Sequence, residues 1–532
     1  MTPLRIAIWH NLPSGGGKRQ LYTHVQGLLQ RGHYLESWCP DTADQKYLPL
    51  GNLIKENIVP LSKPKNLFQN SVRLLPITRQ LLGCMEEQCR VCADEINSRD
   101  FDILFANACM YFRTTPIGGL VNLPSVIYLG EPFRWFYEAM PELPWIAPAA
   151  MVEKAFSFRS LRERAVKRSE LNSIRVQARA ELEYLKQFNV VLANSIFSRE
   201  TILRTYNVES RVCSLGVDSQ YYKPTGEPKE SFVVGLGTIY HGKGVDRAIR
   251  AVGAIAASKR PALVWIGNGG WDLEIEGYRR LAKKLKVDFI AKIHIPDSEV
   301  ISLLSRATAM VFTSRLEPFG FAPLEANACG TPVVGMAEGG VKETIIDGLN
   351  GFLASDDDPQ RLGELIERFV DHPQLVDRMG AEAREHVRTK WSMDSCTDNI
   401  ESMLSTLRSA KHAKALLTNK RRLLDLAPTN NIRFNVEHST IRNRTLDMKG
   451  WAHINDGRDA TDSEIFILVR NAADTQLLRT VKVTRPDVTR HFGDEKDYDD
   501  SGFSVHGEVS LKEPYTIGIL IVRSAETALC VL

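Results

Sequence analysis

Two glutamates eight positions apart, Glu317 and Glu325, carry the densest chemical signal in the chain, in the run Glu317-Pro-Phe-Gly-Phe-Ala-Pro-Leu-Glu325. Apolar Ala309-Met-Val-Phe precedes it, and Ala328-Cys-Gly-Thr-Pro-Val-Val-Gly follows, so the segment reads as buried strand, glycine loop, helix start and strand. The backbone N–H groups of Gly320, Phe321 and Ala322 at such a helix start form a cradle for a diphosphate. A carboxylate on each side of the cradle suits the hydroxyls of a sugar and of a ribose. Lys243, set between Gly242 and Gly244, is the best-placed cation for the diphosphate. Backbone donors near Gly16 and Gly17 would supplement it.

The elements that must position these residues follow an alternating pattern. Short apolar runs at 5–9, 101–106, 125–129 and 190–193 fall between helical stretches. Six more, at 232–236, 262–266, 288–290, 310–313, 332–334 and 351–353, do the same further on. This is the βαβ pattern of parallel sheets, and it predicts two Rossmann-like domains facing a cleft, 1–215 and 216–420, with a crossing helix after Trp391. Ligands of open α/β sheets bind at the C-terminal ends of the strands. After Pro428 the pattern turns to β-rich runs, at 432–436, 446–452, 464–469, 478–483, 503–509 and 515–522, separated by turn signals such as Asn455-Asp-Gly and Asp500-Ser-Gly, with no helix between them. Residues 431–532 are expected to be an all-β sandwich-like accessory domain.

Composition narrows the classes. Of 532 residues, 43% are hydrophobic, an ordinary globular share. The net charge of +3 does not point to nucleic acid. No apolar run reaches the roughly 18–20 residues of a membrane span, and the N-terminus enters a strand without a signal-like region, so a cytoplasmic location is expected. Nine dispersed cysteines suit reduced thiols. Cys84, Cys89 and Cys92 have an iron–sulfur-like spacing, but they lie in a helical stretch and are read as ordinary core cysteines.

Several motifs in order resemble the retaining glycosyltransferases of family 4, of GT-B fold. They are Pro13-Ser-Gly-Gly-Gly17 after the first strand, Asn194-Ser195, Gly216-Val-Asp218, Gly237-Thr-Ile-Tyr-His-Gly-Lys243-Gly244, Gly267-Asn-Gly-Gly270 and the two-glutamate segment. The resemblance covers about residues 1–410. It implies that Glu325 binds the nucleotide ribose and that Glu317 lies by the donor sugar, with Phe319 and Phe321 in the same donor loop. It also implies that no metal or other cofactor is required. Asp356-Asp-Asp358 reads as a helix cap, and Asp494, Asp497, Asp499 and Asp500 as a solvated turn, with a Ca²⁺ site the alternative.

Two departures from the family pattern stand out. Thr238 occupies the place of a basic residue, with Arg247 and Arg315 as candidate substitutes. Gly130 falls where an acceptor-side histidine fits, leaving Glu131, Arg134 and His10 as acceptor-side candidates and Trp135, Phe136 and Tyr137 as stacking or core aromatics. The expected activity is transfer of a hexose from a UDP- or GDP-sugar to a polysaccharide, O-antigen or lipid-linked glycan, with Lys243, Glu317 and Glu131 at the chemistry. The alternatives are a nucleotide-sugar-binding scaffold with decayed catalysis and a nucleotide-sugar epimerase. Two basic stretches, 151–190 and 411–422, are solvated helix faces or contacts for anionic lipid.

Overall fold

A computed structural model describes residues 3–62, 77–138, 143, 145–146, 158–270, 272–407, 423–424, 426–460, 463–493, 496–523 and 526–532. The first sheet has seven parallel strands: β1 (Arg5–Asn11), β2 (Tyr34–Cys39), β3 (Lys55–Ile58), β4 (Ile103–Cys109), β5 (Ser125–Gly130), β6 (Val190–Ala193) and β7 (Arg211–Val212). Their spatial order is β3-β2-β1-β4-β5-β6-β7. The second has six: β8 (Glu230–Leu236), β9 (Ala262–Gly267), β10 (Phe289–Ile293), β11 (Ala307–Phe312), β12 (Val333–Met336) and β13 (Gly351–Ala354), ordered β10-β9-β8-β11-β12-β13. In each sheet the order reverses beside the first strand, which opens a crevice at the strands' C-terminal ends.

Both faces of each sheet are covered, which explains the continuous apolar runs. In β1, Ile6 and Ile8 enter one core while Ala7 and Trp9 enter another. The Ile6 core is shared, because it also contains Phe232, Val234 and Met310 of the second sheet. A third core, with Val233 and Val311, lies on the far face of the second sheet.

The two halves are joined by more than the cleft. The helix Met393–Thr406 follows the second half in sequence but packs on the first helix, Gly16–Gln30. Its Glu401 accepts from Arg31 at 2.5 Å and lies 3.1 Å from His33 Nε2. Burial would raise the Glu401 carboxyl, but these two partners hold it below the usual range. The backbone crosses between halves at Val217 and at Trp391, where Val217 N donates to Trp391 O at 2.8 Å.

The tail contains two antiparallel four-stranded sheets. One is β14 (Ile432–Arg442), β15 (Thr445–Ile454), β19 (Gly502–Glu508) and β18 (Val481–Val483); the other is β17 (Thr475–Arg479), β16 (Ser463–Arg470), β20 (Thr516–Arg523) and β21 (Glu526–Val531). Their inner faces share a core that includes Leu446, Met448, Ile467 and Ile519. Two expectations are corrected here. The run 478–483 is not one strand, because Thr480 separates β17 from β18 and each joins a different sheet. A helix does intervene, Pro486–Phe492, with Pro486 in its first turn where the missing N–H costs no bond. Among the described residues, no helix is long and apolar enough to cross a membrane. The basic stretch 411–422 and Asp494 lie outside the described residues, as do 151–157 of the other basic stretch.

Candidate active site

The C-terminal ends of the two sheets border one cleft of about 1140 Å³. From the second half, β8 leads through Gly237 and Thr238 into the short turn His241–Lys243. The loop after β11 brings Glu317 alongside. Lys243 Nζ donates to Glu317 Oε2 at 2.8 Å, and Ser314 Oγ donates to the same oxygen at 2.6 Å. Burial alone would discharge both groups. The lysine outweighs it for Glu317, whose carboxyl is held below the usual range, and the glutamate outweighs it for Lys243, which is raised. A lysine charged in a half-buried cleft is a fixed cation aimed at whatever anion enters.

The loop that carries Glu317 is held from behind by Gly339. This residue has φ 63°, and a Cβ there would lie 2.6 Å from Glu317 O. Only glycine permits both the left-handed conformation and that approach. Gly340 N then donates to Glu317 O at 2.8 Å.

Two helix N-termini point into the cleft from opposite sides. Gly16 opens the first helix and Phe321 opens the helix Phe321–Ala328. Gly16, Gly17, Phe319, Gly320, Phe321 and Ala322 all border the cleft. The first N–H groups of each helix have no partner within the helix and are available to an anion. Phe319 is buried, with its ring 5.5 Å from Phe321 and 5.4 Å from Trp391.

Glu325 borders the cleft on the first turns of its helix and is 3% exposed. Its carboxylate is bonded to Arg19 of the first helix, and Arg19 Nε also donates to Tyr47 Oη at 3.0 Å. Sequence reasoning missed Arg19, although its place directly after Gly15-Gly-Gly-Lys18 was the available signal. It missed Arg113 as well. That residue lies in a left-handed turn, φ 50°, and donates to Glu131 at 3.2 Å.

Glu131 and Arg134 border the cleft from the first half. Burial raises the Glu131 carboxyl against the pull of Arg113 and Arg134. Arg134 donates to Glu138 at 2.7 Å and, across the cleft, to Arg315 O at 3.1 Å. Trp135 borders the cleft and is 59% exposed, whereas Phe136 is buried. Phe136 and Tyr137 do not border the cleft.

Three sequence candidates lie elsewhere. His10 is fully buried, does not border the cleft and is bonded through Nε2 to Glu56 at 2.9 Å. Burial lowers its pKa and keeps the ring neutral. Arg247 and Arg315 do not border the cleft; both reach Asp357, at 2.8 and 3.1 Å, and Arg315 also holds Glu338. Thr238 does border it, with its hydroxyl 2.9 Å from Asn268 Oδ1. The cleft cations from the facing half are therefore Arg19, Arg113 and Arg134, with Lys46 at the rim.

For metal binding, His10, Cys39 and Glu56 are the one His/Cys/acid cluster among the described residues whose ligand atoms converge. It lies beside buried Lys18; against burial, the His10 hydrogen bond and then the nearby Lys18 charge hold the Glu56 carboxyl below the usual range. In the tail, Asp499 accepts from Thr489 and Asp500 pairs with Lys482 at 2.7 Å. Asp358 caps the helix Pro359–Asp371 through Gln360 N. Cys89 and Cys92 are buried free thiols in the helix Ile77–Asn97, and Cys84 is half-buried.

Residues 220–386, which hold Lys243, Glu317 and Glu325, match the family described as "Glycosyl transferases group 1". This part of the chain is similar to a glycosyl transferases group 1 domain. Among curated proteins, the chain is similar to a D-inositol 3-phosphate glycosyltransferase of Streptomyces griseus, 33% identical over 31% of this chain and 37% of that one. It is 32% identical to human alpha-1,3/1,6-mannosyltransferase ALG2 over 26% of this chain and 35% of that one. The chain spans between about a quarter and just over half the length of curated relatives such as these. Among solved structures, Anabaena HepE, crystallised with UDP and glucose, has a TM-score of 0.53 at 18% identity, covering 76% of this chain and 100% of that one. Sucrose-phosphate synthase of Thermosynechococcus elongatus gives 0.55 at 16%, over 76% and 100%. These likenesses show the fold: the two facing Rossmann-like halves are a GT-B pair, followed by antiparallel sheets.

Proposed function

We propose that the protein is a retaining glycosyltransferase that moves a hexose from a UDP- or GDP-sugar to a polysaccharide, O-antigen or lipid-linked glycan acceptor. The observation that carries this is the Lys243–Glu317 pair beside the N-terminus of the helix Phe321–Ala328, with Glu325 one helical turn further on. A relative of Corynebacterium glutamicum, 29% identical over 174 residues, is a GDP-mannose-dependent mannosyltransferase, which supports a nucleotide-sugar donor.

In this reading the diphosphate lies between Lys243 and the two helix N-termini. Charge grows on it as the bond from the sugar's anomeric carbon to the phosphate oxygen breaks. The acceptor hydroxyl oxygen bonds to the same face of that carbon, and its proton passes to the departing phosphate oxygen. Glu317 orients the donor sugar's hydroxyls, Glu325 the ribose, and Glu131 faces the acceptor. Lys243 and the helix dipoles supply the positive charge, so no divalent cation is required. The exposed side chains of Lys167, Arg168, Arg175 and Arg179 along the helix Phe158–Leu185 would bind anionic lipid at low salt, which vesicle sedimentation measures.

The test is incubation of the full chain with a panel of nucleotide sugars and lipid-linked acceptors, with and without chelator. Transfer should retain anomeric configuration, survive chelation and fall about 10²–10³-fold in Glu317→Ala. Inverted products or an unaffected variant would refute the mechanism.

A further inference from the structure

Three adjacent strands of the first sheet end side by side above the cleft. Asn107 of β4 pairs with Tyr128 of β5, and Gly130 at the end of β5 pairs with Ala193 at the end of β6, so Asn194 follows immediately. Gly130 has φ 72°, and a Cβ built there would meet only Asn194 Nδ2, at 3.8 Å. Space therefore stands where a side chain would otherwise project. Gln20 of the first helix borders the same cleft.

The side chains around this gap are buried and incompletely bonded. Asn107, Asn194 and Gln20 are 2%, 8% and 7% exposed. Asn107 Nδ2, Gln20 Nε2, Arg113 Nε, Asn194 Oδ1 and Glu131 Oε2 have no hydrogen-bond partner. Buried polar atoms are ordinarily satisfied, so three donors and two acceptors left open around the cleft mark a place for a ligand rich in hydroxyls. The wall is also close to neutral. Arg113 is bonded to Glu131 and Arg134 to Glu138, and the remaining members are amides. Trp135, exposed at the cleft, offers a ring face on which a pyranose can stack.

We propose that Gln20, Asn107, Gly130 and Asn194 form a subsite for one uncharged, polyhydroxylated ring of the acceptor. The ring sits in the gap over Gly130 and takes hydrogen bonds from the amides, and one of its hydroxyls donates to Glu131 Oε2. This rests on the transferase reading above, and it assigns the acceptor a neutral sugar or cyclitol next to the reacting hydroxyl. Gly130 sets the depth of the subsite.

The probe is saturation-transfer NMR on the full chain with UDP or GDP filling the donor side. The panel is glucose, galactose, mannose, N-acetylglucosamine and myo-inositol, with glucuronate and glucose 6-phosphate as charged counterparts. At least one neutral ring should bind, and the charged ones should bind more weakly. The double variant Asn107→Ala, Asn194→Ala should weaken that binding roughly tenfold or more while leaving nucleotide affinity unchanged. Gly130→Asn, a residue that tolerates the left-handed region, should fill the gap and weaken sugar binding alone. Should the double variant fail to fold, Gly130→Asn gives the decision. Failure of every neutral ring to bind nucleotide-loaded protein, preference for the charged rings, or unchanged sugar affinity in these variants would overturn the subsite and leave the transferase reading standing. Failure of the wild-type protein to bind any nucleotide would overturn both.

Discussion

Glu181 is a buried acid whose replacement should stabilise the protein above neutral pH. It lies on the helix Phe158–Leu185 and has no exposed surface. Its Oε1 accepts from Gln177 Nε2 at 2.8 Å and its Oε2 from Tyr206 Oη at 2.8 Å. Burial raises its pKa to about 7 against those bonds and the field of Arg113. In the unfolded chain the same carboxyl titrates near 4.5. Between these values the native state holds a proton that the unfolded state has released, so stability falls as pH rises. The rise from 4.5 to about 7, at ~1.36 kcal/mol per pH unit, amounts to about 3 kcal/mol, fully present below pH 4.5 and lost above 7. Glu181→Gln mimics the protonated form, since its carbonyl can accept from Gln177 and its amide can donate to Tyr206. Thermal unfolding of wild type and variant from pH 5 to 8.5 should show curves that separate toward alkali. At pH 8 the variant should melt roughly 6–12 °C higher in the transition of the first half. Curves that stay parallel, or a gap that widens toward acid, would refute the assignment of a neutral buried Glu181.

Three further outcomes are expected. Lys243→Ala should lower kcat/KM about 10²–10³-fold, because it removes the leaving-group cation and leaves Glu317 without its lysine; steady-state kinetics with saturating acceptor measures it. Gly339→Ala should cost more than about 1 kcal/mol in denaturant titration and most of the activity, because the added Cβ meets the Glu317 backbone at 2.6 Å from a left-handed φ of 63°. Arg19→Ala should weaken donor binding by roughly two- to fivefold in calorimetry, since it removes a cleft cation and leaves the buried Glu325 carboxylate without its partner.

The side of the cleft that carries Lys243 and Glu317 was legible in the sequence because it is local. Lys243 and its glycines, and Glu317 through Glu325, each lie within one loop and one helix start, so spacing alone places the groups. What the sequence did not reveal depends on contacts between distant segments. Arg19 reaches Glu325 across 306 positions, and Arg113 reaches Glu131 from a turn whose left-handed residue is not glycine. His10 follows a strand just as a cleft residue would, yet β3 brings Glu56 beneath it and the ring turns inward. β3 itself, Lys-Glu-Asn-Ile, is polar at every position but the last, which hid it from a search for apolar runs. In the tail, a continuous β-rich stretch concealed the change of sheet at Thr480, because alternation does not say which neighbour a strand will choose.

The helix Met393–Thr406 has a mechanical consequence. Since Glu401 fastens it to Arg31 and His33, the polypeptide that leaves the second half at Trp391 is moored to the first half before the tail begins. The two crossings, at Val217 and Trp391, are bonded to one another, so both connections between the halves run side by side. Any opening of the cleft therefore carries the C-terminal end of that helix along with the first half.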